Sequence, residues 1–293
     1  MYEKILVPLD GSKLAEVALP HANELARKLG SKITLVSVLP VGSESDDNKY
    51  HHSHRFYMQE MVKTIKQQAI NVESVILTGA PAEEIVNYAD REDISLIVMG
   101  TRGQSGIKRW VLGSIADKVV SATTRPVALI TTDDTETSVR GKDLLSKALV
   151  ILDGTAEAEA VIPYVEDLGS KLDIEVVLLR LVEQAFMYYE SADDLSYVPV
   201  SKKEMNSRRA KARRYLTKLA SLLESKGIIV RVKVVTKGNS AETIIKVASQ
   251  TDAGLIVMST RGRSGISRWI FGSVRDEIVN IGNVLVLLVR PPD

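Results

Sequence analysis

The stretch LIVMGTRGQSGIKRWVLGS at residues 96–114 returns almost unchanged as LIVMSTRGRSGISRWIFGS at residues 255–273. A second pair behaves in the same way, because KILVPLDGS at 4–12 matches KALVILDGT at 147–155. Two motifs that recur in the same order indicate one structural unit written twice. The segment between the copies is polar and charged, so we predict two domains, at residues 1–135 and 146–293.

Each copy alternates apolar, β-branched runs with segments of helical apolar spacing. The alternation predicts an α/β fold with two tandem doubly wound domains, each built on a five-stranded parallel sheet. In the first copy we predict strands at 4–9, 33–39, 72–77, 95–99 and 126–131, and helices at 15–29, 56–68, 81–89 and 114–121.

The second copy is longer, because the spacing between equivalent motifs grows from 143 to 159 residues along the chain. We place most of the extra residues at 183–200. That segment and 41–55 are long and polar, so both are predicted to be surface loops, with a lid over a site as one use.

The composition excludes several classes of function. No cysteine is present, which removes disulfides, thiol catalysis and thiolate zinc sites. A net charge of +1 argues against nucleic acid as a partner. No apolar stretch approaches the roughly 20 residues that span a bilayer, and the first residues lack a signal-peptide layout, so we expect no membrane partner and a cytoplasmic location.

Two segments leave the carboxyl ends of strands, where open α/β sheets bind their ligands. The first strand leads into Asp10-Gly11-Ser12, and the fourth leads into a glycine loop, residues 100–114, of pattern G-x2-G-x9-G-S. Glycines allow a ligand to approach the backbone closely, and a helix N-terminus attracts phosphate. Ser114 is predicted to cap the following helix and to donate its hydroxyl to a phosphate. Asp10 either accepts hydrogen bonds from a base or ribose, meets a metal carried by phosphates, or only caps the next helix.

The strand-one sequence V-P-L-D, the glycine loop and the order of elements together resemble the universal stress protein family, in both copies and over nearly the whole chain. The resemblance implies a Rossmann-like, adenine nucleotide alpha hydrolase-like fold. It also implies the family branch that binds ATP, with Mg²⁺ as an accompanying ion. The implied contacts are Pro8, Asp10 and Val38 for the base, Met99 and Gly100 for the ribose, and Gly103, Gly113, Ser114 and Ile115 for the phosphates.

The second copy departs from this pattern at two positions. Ile151 replaces Pro8 and keeps an apolar wall, whereas Ser259 replaces Gly100 and adds a Cβ where a positive φ or room for a sugar is expected. Whether this copy binds nucleotide is left open. Its implied contacts are Asp153, Leu181, Gly262, Gly272 and Ser273.

Other conspicuous residues are given plainer interpretations. Three histidines, His51, His52 and His54, lack further ligands at a recognisable spacing and are predicted to be surface residues of a loop, with no metal. The run that starts at Ser207 carries five basic residues within seven, and we interpret it as an amphipathic surface helix with a basic start rather than as a contact for RNA or an acidic partner. The paired tryptophans are predicted to pack rather than to stack on a base, and the basic residues of the glycine loop to be solvated; these are Trp110, Trp269, Arg102, Lys108 and Arg109.

The sequence contains no pattern that would support catalysis. It has no G-x4-G-K-[ST], no G-x-S-x-G and no H-E-x-x-H, and no histidine lies near the glycine loop. We therefore predict a nucleotide-binding stress-response or signalling module that is not an enzyme. The alternatives are a weak ATPase or nucleotidyl-transfer enzyme on the same fold, and a structural tandem with vestigial sites. The resemblance further implies that the copies pair through their last strands as an intramolecular pseudo-dimer, with a homodimer as a further possibility.

Overall fold

The computed structural model describes residues 1–41, 49–101, 112–130, 145–182, 186–191, 194–199, 201–236, 240–261, 278 and 284–292. The first copy contains β1 (Lys4–Pro8), α1 (Lys13–Glu16), α2 (Ala18–Leu29), β2 (Lys32–Leu39), α3 (Lys49–Lys66), β3 (Val72–Thr78), α4 (Pro81–Arg91), β4 (Leu96–Gly100), α5 (Ser114–Ala122) and β5 (Val127–Ile130). The second contains β6 (Lys147–Ile151), α6 (Ala156–Glu159), α7 (Ile162–Leu172), β7 (Glu175–Val182), β8 (Phe186–Ser191), β9 (Asp194–Pro199), α8 (Lys202–Glu224), β10 (Val230–Thr236), α9 (Ser240–Thr251), β11 (Leu255–Ser259) and β12 (Leu285–Val289).

Ten of these strands form one sheet in the order β10-β7-β6-β11-β12-β5-β4-β1-β2-β3. Pairing is parallel within each copy, which confirms the two doubly wound five-stranded units. The copies meet where β5 pairs antiparallel with β12, from Ile130 with Leu285 to Val127 with Leu288. The predicted pairing through the last strands is therefore confirmed, and it makes the two sheets continuous.

The core lies on both faces of this sheet. The central strands β4, β5, β11 and β12 are buried at every position, as expected of strands covered on both faces. Each face carries one cluster of buried apolar side chains, and each cluster contains residues from both copies. The two repeats therefore share their hydrophobic core.

Local signals explain where the first helices begin and end. Ser12 caps α1, because its hydroxyl accepts a hydrogen bond from the amide of Ala15, and Thr155 does the same for α6. Gly30 ends α2 with a φ of 70°, a left-handed conformation that glycine adopts without steric cost.

The structure differs from the sequence prediction in the two long connections. Helix α3 begins at Lys49, so much of the expected loop at 41–55 is helical. The segment at 183–200 contains an antiparallel hairpin, in which β8 pairs with β9 from Phe186–Pro199 to Ser191–Asp194. The prediction of a polar loop was wrong there, because length and polarity were weighed and the strand-forming Phe, Tyr and Val residues were not. Among the described helices, none is long and apolar enough to cross a membrane.

A buried histidine in α2 gives the fold a predicted acid sensitivity. His21 is only 7% exposed, and desolvation lowers its pKa from 6.5 to about 4. The unfolded chain therefore binds a proton that the folded chain does not, and stability falls as the pH drops below about 6.5. We expect the protonation of His21 in the unfolded chain to lower the free energy of unfolding by about 2 kcal/mol between pH 7 and pH 5.

Urea denaturation at these two pH values measures the effect. The variant His21→Gln should lose about 2 kcal/mol of the pH dependence of stability that the wild type shows. Equal pH dependence in wild type and His21→Gln would contradict the assignment.

Candidate functional site

The strand order of the first copy changes direction between β1 and β4, and a doubly wound sheet is expected to have its ligand crevice at such a point. Strand β1 pairs with β2 at five positions but with β4 at only two, Ile5 with Leu96 and Leu6 with Ile97. The amide of Leu9 points to β2, because it donates to the carbonyl of Val36 at 2.8 Å. Since amides alternate along a strand, position 8 faces β4, and a proline there has no N–H to donate. Pro8 therefore ends the ladder and opens the crevice.

The matching crevice of the second copy, between β6 and β11, opens one residue later. Ile151 stands in place of Pro8, and the ladder extends over three pairs, from Ala148–Leu255 to Val150–Val257. The substitution thus has a structural consequence beyond the apolar wall predicted from the sequence.

The turn that follows β1 forms one lip of the crevice. Asp10 is half-buried, and its Oδ1 accepts hydrogen bonds from the amide of Ser12 at 3.0 Å and from its hydroxyl at 2.6 Å. Gly11 has a φ of 81°, which the turn requires. Asp153 and Thr155 repeat both hydrogen bonds in the second copy. Asp10 therefore shapes the turn, while the helix itself is capped by Ser12.

The opposite lip is formed by the two ends of the glycine loop. Thr101 follows β4, and its carbonyl accepts a hydrogen bond from the amide of Gly113 at 2.8 Å. This bond brings the N-terminus of α5 to the carboxyl end of β4. Gly113 is the N-cap, with φ −58° and ψ 143°, and no side chain caps the helix. The prediction that Ser114 is the cap was wrong by one residue, since the carbonyl of Gly113 already accepts the amide of Asp117.

The helix start presents groups that a ligand could contact. Ser114 is exposed, and Ile115 is an exposed apolar residue at 38%. The first amides of a helix have no intrahelical partners, and among the described residues no side chain accepts a hydrogen bond from them. Together with the positive end of the helix dipole, they suit an anion.

The remaining described candidates lie on the strands around this crevice. Met99 and Gly100 are buried at the end of β4, and Val38 and Leu181 are half-buried near the ends of β2 and β7. Gly100 is not among the described glycines with positive φ, so the expected strain at Ser259 is absent. The hydroxyl of Ser259 instead accepts a hydrogen bond from the amide of Arg261 at 3.2 Å.

Several predicted residues cannot be placed in this geometry. The following lie outside the described residues: Gly103, Gly262, Gly272, Ser273, Trp110, Trp269, Arg102, Lys108 and Arg109.

A tyrosine that the sequence interpretation missed packs beside each turn. The hydroxyl of Tyr57 donates to Oε1 of Glu16 at 3.3 Å. Desolvation, then Glu16 and then Asp10 raise the pKa of this phenol. Tyr215 and Glu159 hold the equivalent positions in the second copy, and desolvation and Glu159 raise the pKa of Tyr215. The recurrence of tyrosine and glutamate in both copies was the signal available in the sequence.

The second copy adds a cation beside its turn. The Arg180 guanidinium lies 5.0 Å from the centre of the Tyr215 ring, whereas the equivalent position in β2 is occupied by Ser37. The Arg180 guanidinium also lies over Gly154, where an added Cβ would be 2.7 Å from Nη1 of the arginine. Any larger residue at 154 would displace the arginine, so the two crevices are not equivalent.

No metal site is found in the part of the chain that the structure describes, where no three histidine, aspartate or glutamate side chains are grouped for one ion. The three histidines near residue 52 lie on α3 rather than in a loop, and His54 is buried at 9% exposure rather than on the surface.

The fold defines a tandem doubly wound α/β protein whose sheet has one switch point in each copy, the place where folds of this class bind their ligands. A family model described as the universal stress protein family matches residues 1–131 and 145–290. The chain belongs to the universal stress protein family.

Individual relatives agree with this assignment. Universal stress protein MJ0531 of Methanocaldococcus jannaschii is 31% identical over 140 residues, covering 44% of this chain and 82% of that protein. Universal stress protein YxiE of Bacillus subtilis is 31% identical over 150 residues, covering 44% and 99%. A universal stress protein from Archaeoglobus fulgidus has a similar fold over 99% of both chains, with a TM-score of 0.73 and 21% identity.

Proposed function

We propose that this protein binds ATP in the first-copy crevice and acts as a nucleotide-dependent module in stress response or signalling. The observation that carries the proposal is the hydrogen bond between the Gly113 amide and the Thr101 carbonyl. It brings the N-terminus of α5 to the carboxyl end of β4, which neighbours β1 and the Asp10 turn that follows β1, where Pro8 ends the ladder between these strands. An anionic group and a base can thus be held at the two lips of one site.

The residues present fit a nucleotide by their chemistry. The α5 amides and the Ser114 hydroxyl are donors for phosphate oxygens, and Pro8, Val38 and Met99 offer apolar surface to a base. The Asp10 carboxylate is an acceptor for base or ribose donors. When bound, ATP supplies the negative charge that the α5 N-terminus attracts, with Mg²⁺ as its usual counter-ion.

We propose binding without efficient catalysis. Hydrolysis needs a base that orients water, and no histidine of the described residues belongs to the lips of the crevice. Oδ1 of Asp10 already accepts two hydrogen bonds that hold its own turn. ATP occupancy would then act by ordering the lips and so changing the surface offered to a partner.

The purified protein provides the first test. It is denatured, and the released small molecules are identified by chromatography and mass. We expect ATP at one equivalent if only the first copy binds, and at two if both do. A single equivalent that is lost in Gly113→Pro/Ser114→Ala would support the first-copy site, whereas a released compound without an adenine base would overturn the proposal.

Replacing Pro8 by the residue found at the equivalent position of the second copy should give the first crevice the properties of the second. In Pro8→Ile the restored amide can extend the β1–β4 ladder, as Ile151 does in β6. Opening the crevice would then cost one more hydrogen bond, so we expect ATP to bind about tenfold more weakly to the first copy. Titration calorimetry measures this effect, with Val7→Ile as the control that leaves the ladder unchanged. Unchanged affinity in Pro8→Ile would contradict the role of the proline.

A further inference from the structure

Helix α8 carries a concentration of positive charge that the fold does not require. Eight of its 23 residues are basic and two are acidic. The equivalent helix α3 of the first copy packs on its sheet in the same way with four basic residues and one acidic residue. The basic residues of α8 are all exposed: Lys202, Lys203, Arg208, Arg209, Lys211, Arg213, Arg214 and Lys218.

Most of this charge is not neutralised by other residues in the described part of the chain. Arg208 pairs with Glu204 at 2.6 Å, but the five basic residues from Arg209 to Lys218 form no ion pair with any described residue. Arg209 and Arg213 stand four residues apart, as do Arg214 and Lys218, a spacing at which like charges destabilise a helix. The helix therefore keeps an unfavourable charge pattern, which a bound polyanion would relieve.

The arrangement of these charges favours one kind of polyanion. At 100° per residue, Arg209 and Arg213 lie on one flank of the helix, Arg208 and Lys211 on the other, and Arg214 and Lys218 opposite the buried stripe. A flat lipid surface would reach only one of these rows, whereas a nucleic-acid strand can follow several. The apolar stripe that membrane insertion would need is buried against the sheet, at Ala212, Leu216, Leu219 and Leu223.

A protein partner fits this surface less well. Protein interfaces have an apolar or aromatic centre, and on α8 the described exposed large apolar residues begin only at Leu222. Nucleic-acid interfaces are polar and strongly positive, and arginine matches phosphate with paired donors.

We propose that the exposed face of α8 binds the phosphate backbone of a nucleic acid without reading its sequence. This departs from the expectation of no nucleic-acid partner, which rested on a net charge of +1 averaged over the chain. The helix is about 34 Å long, enough to contact several successive phosphates. The site lies on the second copy and does not depend on nucleotide binding in the crevices.

The test is fluorescence anisotropy with a labelled oligouridylate of about 20 nucleotides and a DNA duplex of similar length. Binding of both probes should be measurable at about 50 mM KCl, and the affinity for both should fall steeply as the KCl concentration rises to about 200 mM. The variant Arg209→Gln/Arg213→Gln/Arg214→Gln should bind the oligouridylate at least tenfold more weakly. The slope of log binding constant against log salt concentration should be smaller in magnitude than that of the wild type by about 2.

The first copy offers a matched control. Arg55→Gln/Lys63→Gln/Lys66→Gln removes three exposed charges from α3, and its binding should stay within about threefold of wild type. The α8 variant should melt no earlier than wild type, because like-charge repulsion is relieved. If it does melt early, Arg213→Gln alone should still lower the slope by about 0.7. No binding at low salt, equal losses in both triple variants, or binding only to phosphatidylserine vesicles would each overturn the proposal.

Discussion

Gly113→Pro is expected to weaken ATP binding to the first copy by at least about 100-fold, or about 3 kcal/mol, while leaving the fold intact. The backbone of Gly113, at φ −58°, already has the conformation that proline prefers. A helix N-cap also tolerates the missing intrahelical donor. The substitution therefore removes chiefly the amide that donates to Thr101, and with it the hydrogen bond that closes the glycine loop.

Gly113→Ala is the control, because it keeps the amide and fits the same backbone conformation. We expect it to bind ATP more tightly than Gly113→Pro in titration calorimetry, while the melting temperatures of the two variants differ by no more than about 4 °C, as the loss of one hydrogen bond implies. If Gly113→Pro retains wild-type affinity, the loop closure does not form the site.

Leu287→Asp is expected to destabilise both copies by at least about 4 kcal/mol, because it buries an unpaired charge. Leu287 is 2% exposed on β12 and pairs with Ala128 of the first copy. The copies are further joined where the Tyr2 hydroxyl donates to the Tyr164 carbonyl at 3.2 Å. Since each core cluster includes residues of both repeats, we expect wild type to unfold in a single transition.

Hydrogen exchange during urea denaturation distinguishes shared from independent unfolding. In Leu287→Asp, protection should fall together in β1 and β6, whereas Leu222→Asp, at a 46% exposed position, should change stability by less than about 0.5 kcal/mol. Two separate transitions, or loss of protection in β6 alone, would show that the repeats fold independently.

The fold was largely predictable because each repeat contains local sequence signals for its strands, turns and helix ends. The buried runs at β4 and β11, the turn residues after β1 and the stop at Gly30 are local signals, and the structure follows them. The hairpin of β8 and β9 was missed, because its strands pair only with each other and carry no repeat counterpart. The early start of α3 was missed because its first turns are rich in histidine and polar residues, which resemble a loop.

The features of the site that depend on backbone conformation were predictable from the sequence. The features that depend on how helices and strands pack together were not. The glycine loop and the Asp10 turn follow from residue type and spacing. The effect of Pro8 on the ladder needed the direction of the Leu9 amide, and the position of Tyr57 needed the packing of α3 beside α1. Arg180 was missed for the same reason, because only the register of β7 brings it beside Gly154.

Titration of nucleotide-free protein with ATP and Mg²⁺ in a calorimeter decides whether the first copy binds a nucleotide. We expect saturable binding with a stoichiometry of at least one, and its loss from the first copy in Gly113→Pro. Absence of binding for ATP, ADP and AMP, in protein shown to be folded by circular dichroism, would contradict it.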